Sequence, residues 1–193
     1  MYYNVRQTGR LVTLAKSVQP IKDSTQLEQY KSILKRISYR DFMLFLIGIN
    51  TGLRISDLLP LQVGNVKYQT HICIVEQKTG KEKRARINQN LRRQIDEYIE
   101  GMHEDDYLFP SRKGGHIGRI QAYRKFNEAA AVIGLQEVGT HTMRKTFGYH
   151  HYRMYRDVAV LQRIFNHSSP SQTLRYIGID QDEMDQTLDQ FNL

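Results

Sequence analysis

The 193-residue sequence predicts an α+β fold, mainly helical, with one small antiparallel β-hairpin in a single domain. Three observations predict it. Apolar residues recur at helical spacing through most of the chain, the period switches to two over about 71–87, and no internal repeat or low-complexity stretch interrupts the pattern. Apolar residues make up 40% and charged residues 25%, a balance that buries one core and excludes a disordered chain, a collagen and a disulfide miniprotein.

Residues 1–21 are polar and aperiodic, and read as a tail or loosely docked arm ahead of a domain spanning 22–193. Asp23 and Ser24 offer caps for a helix whose apolar stripe is Leu27, Tyr30, Ile33, Leu34 and Ile37. A second helix runs from about Tyr39 through Phe42, Phe45, Leu46 and Ile49, and stops near Thr51-Gly52, where glycine takes the left-handed terminal conformation. Ser56 and Asp57 start a short helix over Leu58-Leu59, halted near Pro60. His71 to Glu76 is β-rich, Lys78-Thr-Gly-Lys81 is a turn, and Arg84 to Ile87 resumes an alternating strand, giving a hairpin with a basic tip. Helical patterns return at about 89–100, 119–133, 142–155 and 157–165, with Met143, Phe147 and Met154 predicted as core. Asn166 supplies a left-handed end, and Ser169 with Pro170 begins the next helix. A final helix at 181–191 carries an apolar stripe of Met184, Leu188 and Phe191.

The charge is uneven. Lys and Arg number 28 against 20 acids, a net of +8, yet residues 177–193 hold five acids and no base. Residues 1–176 therefore set 28 bases against 15 acids, a net of +13, and such a body favours a nucleic-acid partner. The longest apolar run, Phe42 to Ile49, is 8 residues, far short of the roughly 20 that span a membrane. No signal-peptide core appears, and the lone Cys73 suits a reducing compartment, so the cytoplasm is the expected location. There is no phosphate-binding glycine loop, no His-Glu-x-x-His and no cysteine pair, so neither a metal nor a cofactor is expected.

Six dispersed residues carry the candidate chemistry: Arg54, Lys78, His141, Arg144, His167 and Tyr176. His141 and Arg144 are three apart, on one face at the start of a helix, where the helix terminus also favours an anion. His167 lies just past a helix end, and Tyr176 lies on the helix that follows. Taken singly, none of these exceeds what chance supplies in a basic, tyrosine-rich chain.

Jointly they do. Thr51-Gly-Leu-Arg54-Ile-Ser-Asp-Leu-Leu resembles the first arginine box of the tyrosine recombinases (phage integrases), whose usual form is Thr-Gly-Leu-Arg-x-Ser-Glu-Leu. His141-Thr-Met-Arg144-Lys-Thr-Phe resembles their second box, and His167-Ser-Ser with Tyr176 nine residues on resembles their third. The order is kept, Lys78 falls on the hairpin between the first two boxes, and the likeness covers about residues 22–190.

The resemblance implies an integrase-type catalytic domain that cleaves and rejoins double-stranded DNA through a 3′-phosphotyrosyl bond on Tyr176. Arg54 and Arg144 would clamp the phosphate oxygens, which suits guanidiniums that stay charged and bind in bidentate fashion. His141 would handle the tyrosine proton, Lys78 would protonate the leaving 5′ oxygen, and His167 would bond the phosphate. Asp57, one helical turn past Arg54, would orient that guanidinium. Lys81 and Lys83 are rival occupants of the Lys78 role, and Lys81, Lys83, Arg84 and Lys145 are expected to contact DNA. A DNA-binding regulator of the same fold and a type IB-like topoisomerase are the alternatives.

Some features depart from the family. Asn166 stands where glycine usually precedes the histidine, and Gly178 replaces a histidine often found two residues after the tyrosine. Only about 20 residues precede the catalytic region, as in the minimal fimbrial-switch invertases, or as a truncation would leave it. The family likeness further implies a homotetramer on DNA, coupled through the 181–193 segment, and an accessory DNA-bending protein. Docking of that segment on its own subunit is the alternative.

Overall fold

The computed structural model describes residues 18–179 together with 185, 186, 188, 189, 191 and 192. α1 (Ser24–Ile37) starts where the Asp23 carboxylate accepts the Gln26 N–H, and α2 (Tyr39–Thr51) where the Ser38 side chain accepts from Asp41. α2 is buried on every side from Phe42 to Gly48, so it is the central helix. It packs against α1 and against α4 (Gln89–Tyr98), α5 (Arg119–Val132) and α6 (Thr142–Tyr155). Short α3 (Ile55–Leu58) and a 3-10 turn (Val63–Asn65) lead to the hairpin of β1 (His71–Val75) and β2 (Glu82–Arg86). Ile74 faces Lys83 across the hairpin and Ile72 faces Ala85. α7 (Val158–Phe165) and α8 (Pro170–Ile177) close the described domain, which is therefore mainly helical with one two-stranded antiparallel sheet.

Two apolar clusters form. The larger gathers side chains of α1 to α5 with the hairpin and Met143. The smaller holds Tyr152, Leu161, Phe165, Ile177 and Ile179, with Tyr176 packed on its edge. α6 runs between them, and Gly148 makes the second contact close. A β-carbon there would lie 2.6 Å from Ile177 and 2.7 Å from the Phe165 ring. Only a residue without a side chain lets α7 and α8 approach α6 this far.

Met154 is a correction: it is 72% exposed. The inward stripe of α6 ends on Tyr152, and two residues further carries the side chain around to solvent. Residues 18–22 are packed rather than loose, since Ile21 is buried, its N–H donates to Thr146 Oγ1, and Lys22 Nζ donates to the Gly178 carbonyl. The predicted arm over 1–17 lies outside the described residues. Of the predicted terminal helix, 185–186 and 188–189 are helical, while Met184 and its neighbours 180–183 also lie outside them. Among the described residues no helix is long and apolar enough to cross a membrane.

Candidate active site

α2 ends in a left-handed residue, Gly52, at φ 64°, which turns the chain into extended Arg54 at the head of α3. The Gly52 carbonyl accepts from Arg144 in the first turn of α6. Arg144 is buried and its other terminal nitrogen donates to the Phe165 carbonyl at 2.8 Å, the end of α7. One guanidinium thus satisfies a carbonyl at each of two helix ends, where orphan acceptors are expected. Burial draws the Arg144 guanidinium down to about 10.

Asn166 takes the left-handed conformation at φ 53° and closes α7, as its position before His167 predicted. His167 then projects from the turn, with Nδ1 3.1 Å from the hydroxyl of buried Thr173. α8 begins on Ser169, whose side chain accepts the Gln172 N–H, with Pro170 at its first position. Two turns later Tyr176 meets the edges of His167 and Phe165, ring centroids 5.1 and 5.5 Å away. Its hydroxyl stands 3.5 Å from His141 Nδ1. Lys145 Nζ lies 5.2 Å from the centre of the same ring.

The charge pattern is concentrated. Burial pushes the Tyr176 phenol up, against the pull of Arg144 and Arg54 in the other direction. Desolvation lowers His141, helped by Arg119, Lys145, Arg144 and Lys78, and lowers His167 to about 4, helped by Arg144, Arg54, Lys83 and Lys78. Both imidazoles are therefore neutral at pH 7, and a neutral imidazole can accept a proton.

The hairpin departs from expectation in informative ways. Lys78 is exposed on its turn, while Lys83 is the half-buried lysine, bonded to Glu76 at 3.4 Å and to the Ile164 carbonyl. Burial and Arg144 draw the Lys83 amine down to about 8. Lys81 Nζ is 3.5 Å from Asn166 Oδ1, and Arg84 is exposed on the outer face opposite Cys73. Asp57 does not orient Arg54. The carboxylate paired with Arg54 is Glu76, and buried Asp57 instead accepts the Gln77 N–H at 3.0 Å. The reason is local: Arg54 caps α3 in an extended conformation, so the side-chain alignment of residues inside a helix does not apply to it.

Strand alternation places Glu76 and Lys83 on inward faces of the hairpin. Ile72, Ile74 and Glu76 share one face of β1 and its continuation, and Lys83, Ala85 and Ile87 share one face of β2. A carboxylate and an amine on inward faces must meet partners. Among the described residues no group of three His, Cys, Asp or Glu side chains is placed to hold a metal.

Comparisons with known proteins give the chain a family and a fold. Residues 23–183 match the model of the phage integrase family. The chain is 52% identical over 166 residues to a protein of Bacillus subtilis (strain 168) named probable integrase/recombinase YoeC, covering 86% of this chain and 92% of the relative. It is 30% identical over 138 residues to tyrosine recombinase XerD of Chlorobaculum tepidum, covering 67% of this chain but only 45% of XerD. Among solved structures, XerA recombinase superposes with a TM-score of 0.72 at 19% identity, over 96% of this chain and 68% of XerA. The Tn1549 transposon integrase, in complex with a circular intermediate DNA, gives 0.70 at 18% identity, over 91% and 68%. These last two likenesses speak to fold alone. Three boxes that lie far apart in sequence meet around one tyrosine, in a fold shared with recombinases and under a family match across most of the chain, and so the chain belongs to the phage integrase family of tyrosine recombinases.

Proposed function

We propose that this domain cleaves and rejoins double-stranded DNA at a specific site through a covalent bond to Tyr176. The observation that carries the reading is the Tyr176 hydroxyl, 3.5 Å from neutral His141 and within the field of Arg54 and Arg144.

The step balances on the chain's own groups. The Tyr176 proton passes to His141, and the phenolate oxygen forms a bond to phosphorus. The bond from phosphorus to the 5′ oxygen breaks, and Lys78 gives that oxygen a proton. Arg54 and Arg144 face the charge gathering on the non-bridging oxygens, where preorganised donors are each worth roughly 3 kcal/mol. His167 bonds the same oxygens. The 3′-phosphotyrosyl link keeps the energy of the broken ester, so the reverse reaction with a new 5′ hydroxyl reseals a strand.

Lys81, Arg84 and Lys145 would hold the flanking phosphates, and the basic body accounts for affinity without sequence preference. Assembly on DNA is assigned to a second copy through the acidic 181–193 segment, whose Leu188 and Phe191 are exposed on their own subunit. An accessory DNA-bending protein and a location on the nucleoid complete the reading.

The test uses nicked suicide duplexes drawn from inverted repeats beside the gene and from a randomised pool. An SDS-resistant adduct that mass spectrometry places on Tyr176, and that Tyr176→Phe abolishes, is the expected result. Binding without an adduct in the wild type would leave a DNA-binding regulator instead. Relaxation of supercoils with no strand exchange would indicate the topoisomerase.

A further inference from the structure

Glu76 is 2% exposed, at the end of β1, and its carboxylate answers three groups from three places in the fold. Arg54 reaches it from the head of α3, Lys83 from β2 at 3.4 Å, and the Thr79 hydroxyl from the turn at 2.8 Å. Its carbonyl accepts the N–H groups of Thr79 and Gly80 at 3.3 and 2.8 Å, and its own N–H donates to the Lys81 carbonyl. Gly80 sits at φ 67°, the left-handed position that lets this turn close on itself. Asp57 adds a second anchor by accepting the Gln77 N–H. Every residue flanking Lys78 in the turn is therefore tied to a buried carboxylate or to the backbone of Glu76.

We propose that Glu76 is a positioning residue, one that sets the turn carrying Lys78 at a fixed place relative to Arg54 through its bonds to Thr79 and Arg54. The inference rests on the reading of Lys78 as the acid for the leaving oxygen. A lysine on a short exposed turn is a slow proton donor unless its turn is held, because the freedom of the loop must be given up at each encounter. The Glu76 carboxylate removes that freedom and does so against Arg54, a clamp on the phosphate itself. Lys83 extends the tie to the Ile164 carbonyl on α7, three residues before His167. The bland account is that Glu76 only compensates two half-buried cations.

The two accounts separate with a substrate whose 5′ bridging oxygen is replaced by sulfur. A thiol loses its proton near about 8.5, so the sulfur leaves as a thiolate and needs no acid. Single-turnover cleavage of nicked duplexes is measured with the oxygen and sulfur substrates, with duplex affinity and melting temperature recorded for each variant. Glu76→Gln keeps the shape and is expected to cleave the oxygen substrate about 10–100-fold more slowly, in line with a misplaced general acid. Sulfur should restore it to within about threefold of wild type, as it should restore Lys78→Ala. Thr79→Val, at an exposed position, keeps the Arg54 pair and should show a smaller loss that sulfur also repairs.

If Glu76→Gln stays slow on sulfur while Lys78→Ala is rescued, Glu76 acts through Arg54 or the fold and the proposal is overturned. Wild-type rates for Thr79→Val on both substrates overturn it as well. Sulfur that rescues neither Glu76→Gln nor Lys78→Ala removes Lys78 as the acid, and with it the reading on which the proposal stands.

Discussion

Arg144 lies over the face of Phe165, its guanidinium carbon 4.3 Å from the ring centroid, while donating to the carbonyl of the same residue at 2.8 Å. The other end of the guanidinium holds the Gly52 carbonyl, 92 residues away in sequence. A group expected to serve the phosphate is thus also the tie between the two apolar clusters, and its charge is fixed in place before any DNA arrives. Preorganisation of this kind means that the donors need not rearrange as the transition state forms.

Arg144→Lys keeps the charge but not the planar fork or the stack. Two helix-end carbonyls then lose their partner in a dry site, which costs about 1–3 kcal/mol each where water cannot replace it. Chemical unfolding in urea should show a lowered midpoint, and suicide-duplex cleavage should fall on the order of 100-fold or more. An unchanged midpoint with slow cleavage would restrict Arg144 to catalysis.

Gly148→Ala tests the contact that brings Tyr176 to His141. The new β-carbon would meet Ile177 at 2.6 Å and Phe165 at 2.7 Å, both in the smaller core. Crowding of this sort costs about 1–3 kcal/mol, and it pushes on the residue next to Tyr176. Duplex binding should hold while cleavage slows, alongside a lower melting temperature. A melting temperature equal to wild type would show that α6 and α8 have slack, contrary to this account.

Much of this was legible in advance. Asp23, Gly52, Asn166 and Ser169 mark helix ends through their own local chemistry, so those boundaries follow from sequence, while the Ser38 cap of α2 is added by the structure. Arg54, His141, Arg144, His167 and Tyr176, named from three boxes kept in order, converge around the Tyr176 ring. Glu76 lies outside the three boxes: strand alternation marks it as inward-facing, but its partners Arg54 and Thr79 converge on it only in the fold, and nothing in a linear pattern says which cation a buried acid will meet. Helical spacing pairs Asp57 with Arg54, but Arg54 sits outside the helix in extended conformation. Met154 is exposed for a related reason: an apolar type at the end of a helix does not say whether the core extends that far.

His167 makes a pH prediction with a definite sign. Its value in the folded protein is about 4 against an ordinary 6.5, lowered by burial and then by Arg144, Arg54, Lys83 and Lys78. The unfolded chain therefore takes up the proton first, so stability is full above 6.5 and is lost as pH falls from there toward 4. His141 and His151 are lowered too and share the trend. The Thr173 hydroxyl has the Ser169 carbonyl as acceptor at 3.3 Å, which leaves its oxygen to accept the His167 Nδ1–H. Nε2 is then an acceptor in the neutral ring, and bonding a phosphate oxygen requires a proton there. Duplex binding at pH 6, measured by calorimetry in buffers of different ionisation enthalpy, should take up a proton that His167→Gln does not. Equal uptake in wild type and variant would assign that proton elsewhere.

The terminal segment gives the last prediction. Leu188 and Phe191 are 66% and 64% exposed, and the stretch from 177 onward is acidic without a single base. A groove of about 610 Å³ beside β2 and α7 is lined by half-buried Phe147, Val160 and Ile164 and by exposed Arg86 and Arg163, with Glu82 an exposed acid among them. A lining that is partly apolar and mostly basic complements an acidic segment that carries Met184, Leu188 and Phe191, and a second copy of this chain supplies one. Deleting 181–193 should leave binding to a single half-site intact while abolishing cooperative filling of paired half-sites in a gel-shift titration. Arg163→Glu, on the acceptor side, should weaken cooperativity in the same assay, and its effect should vanish in the deleted background, since the two changes remove one contact. Cooperativity that survives the deletion would place the segment on its own subunit, and would leave the groove free for the DNA or for nothing at all.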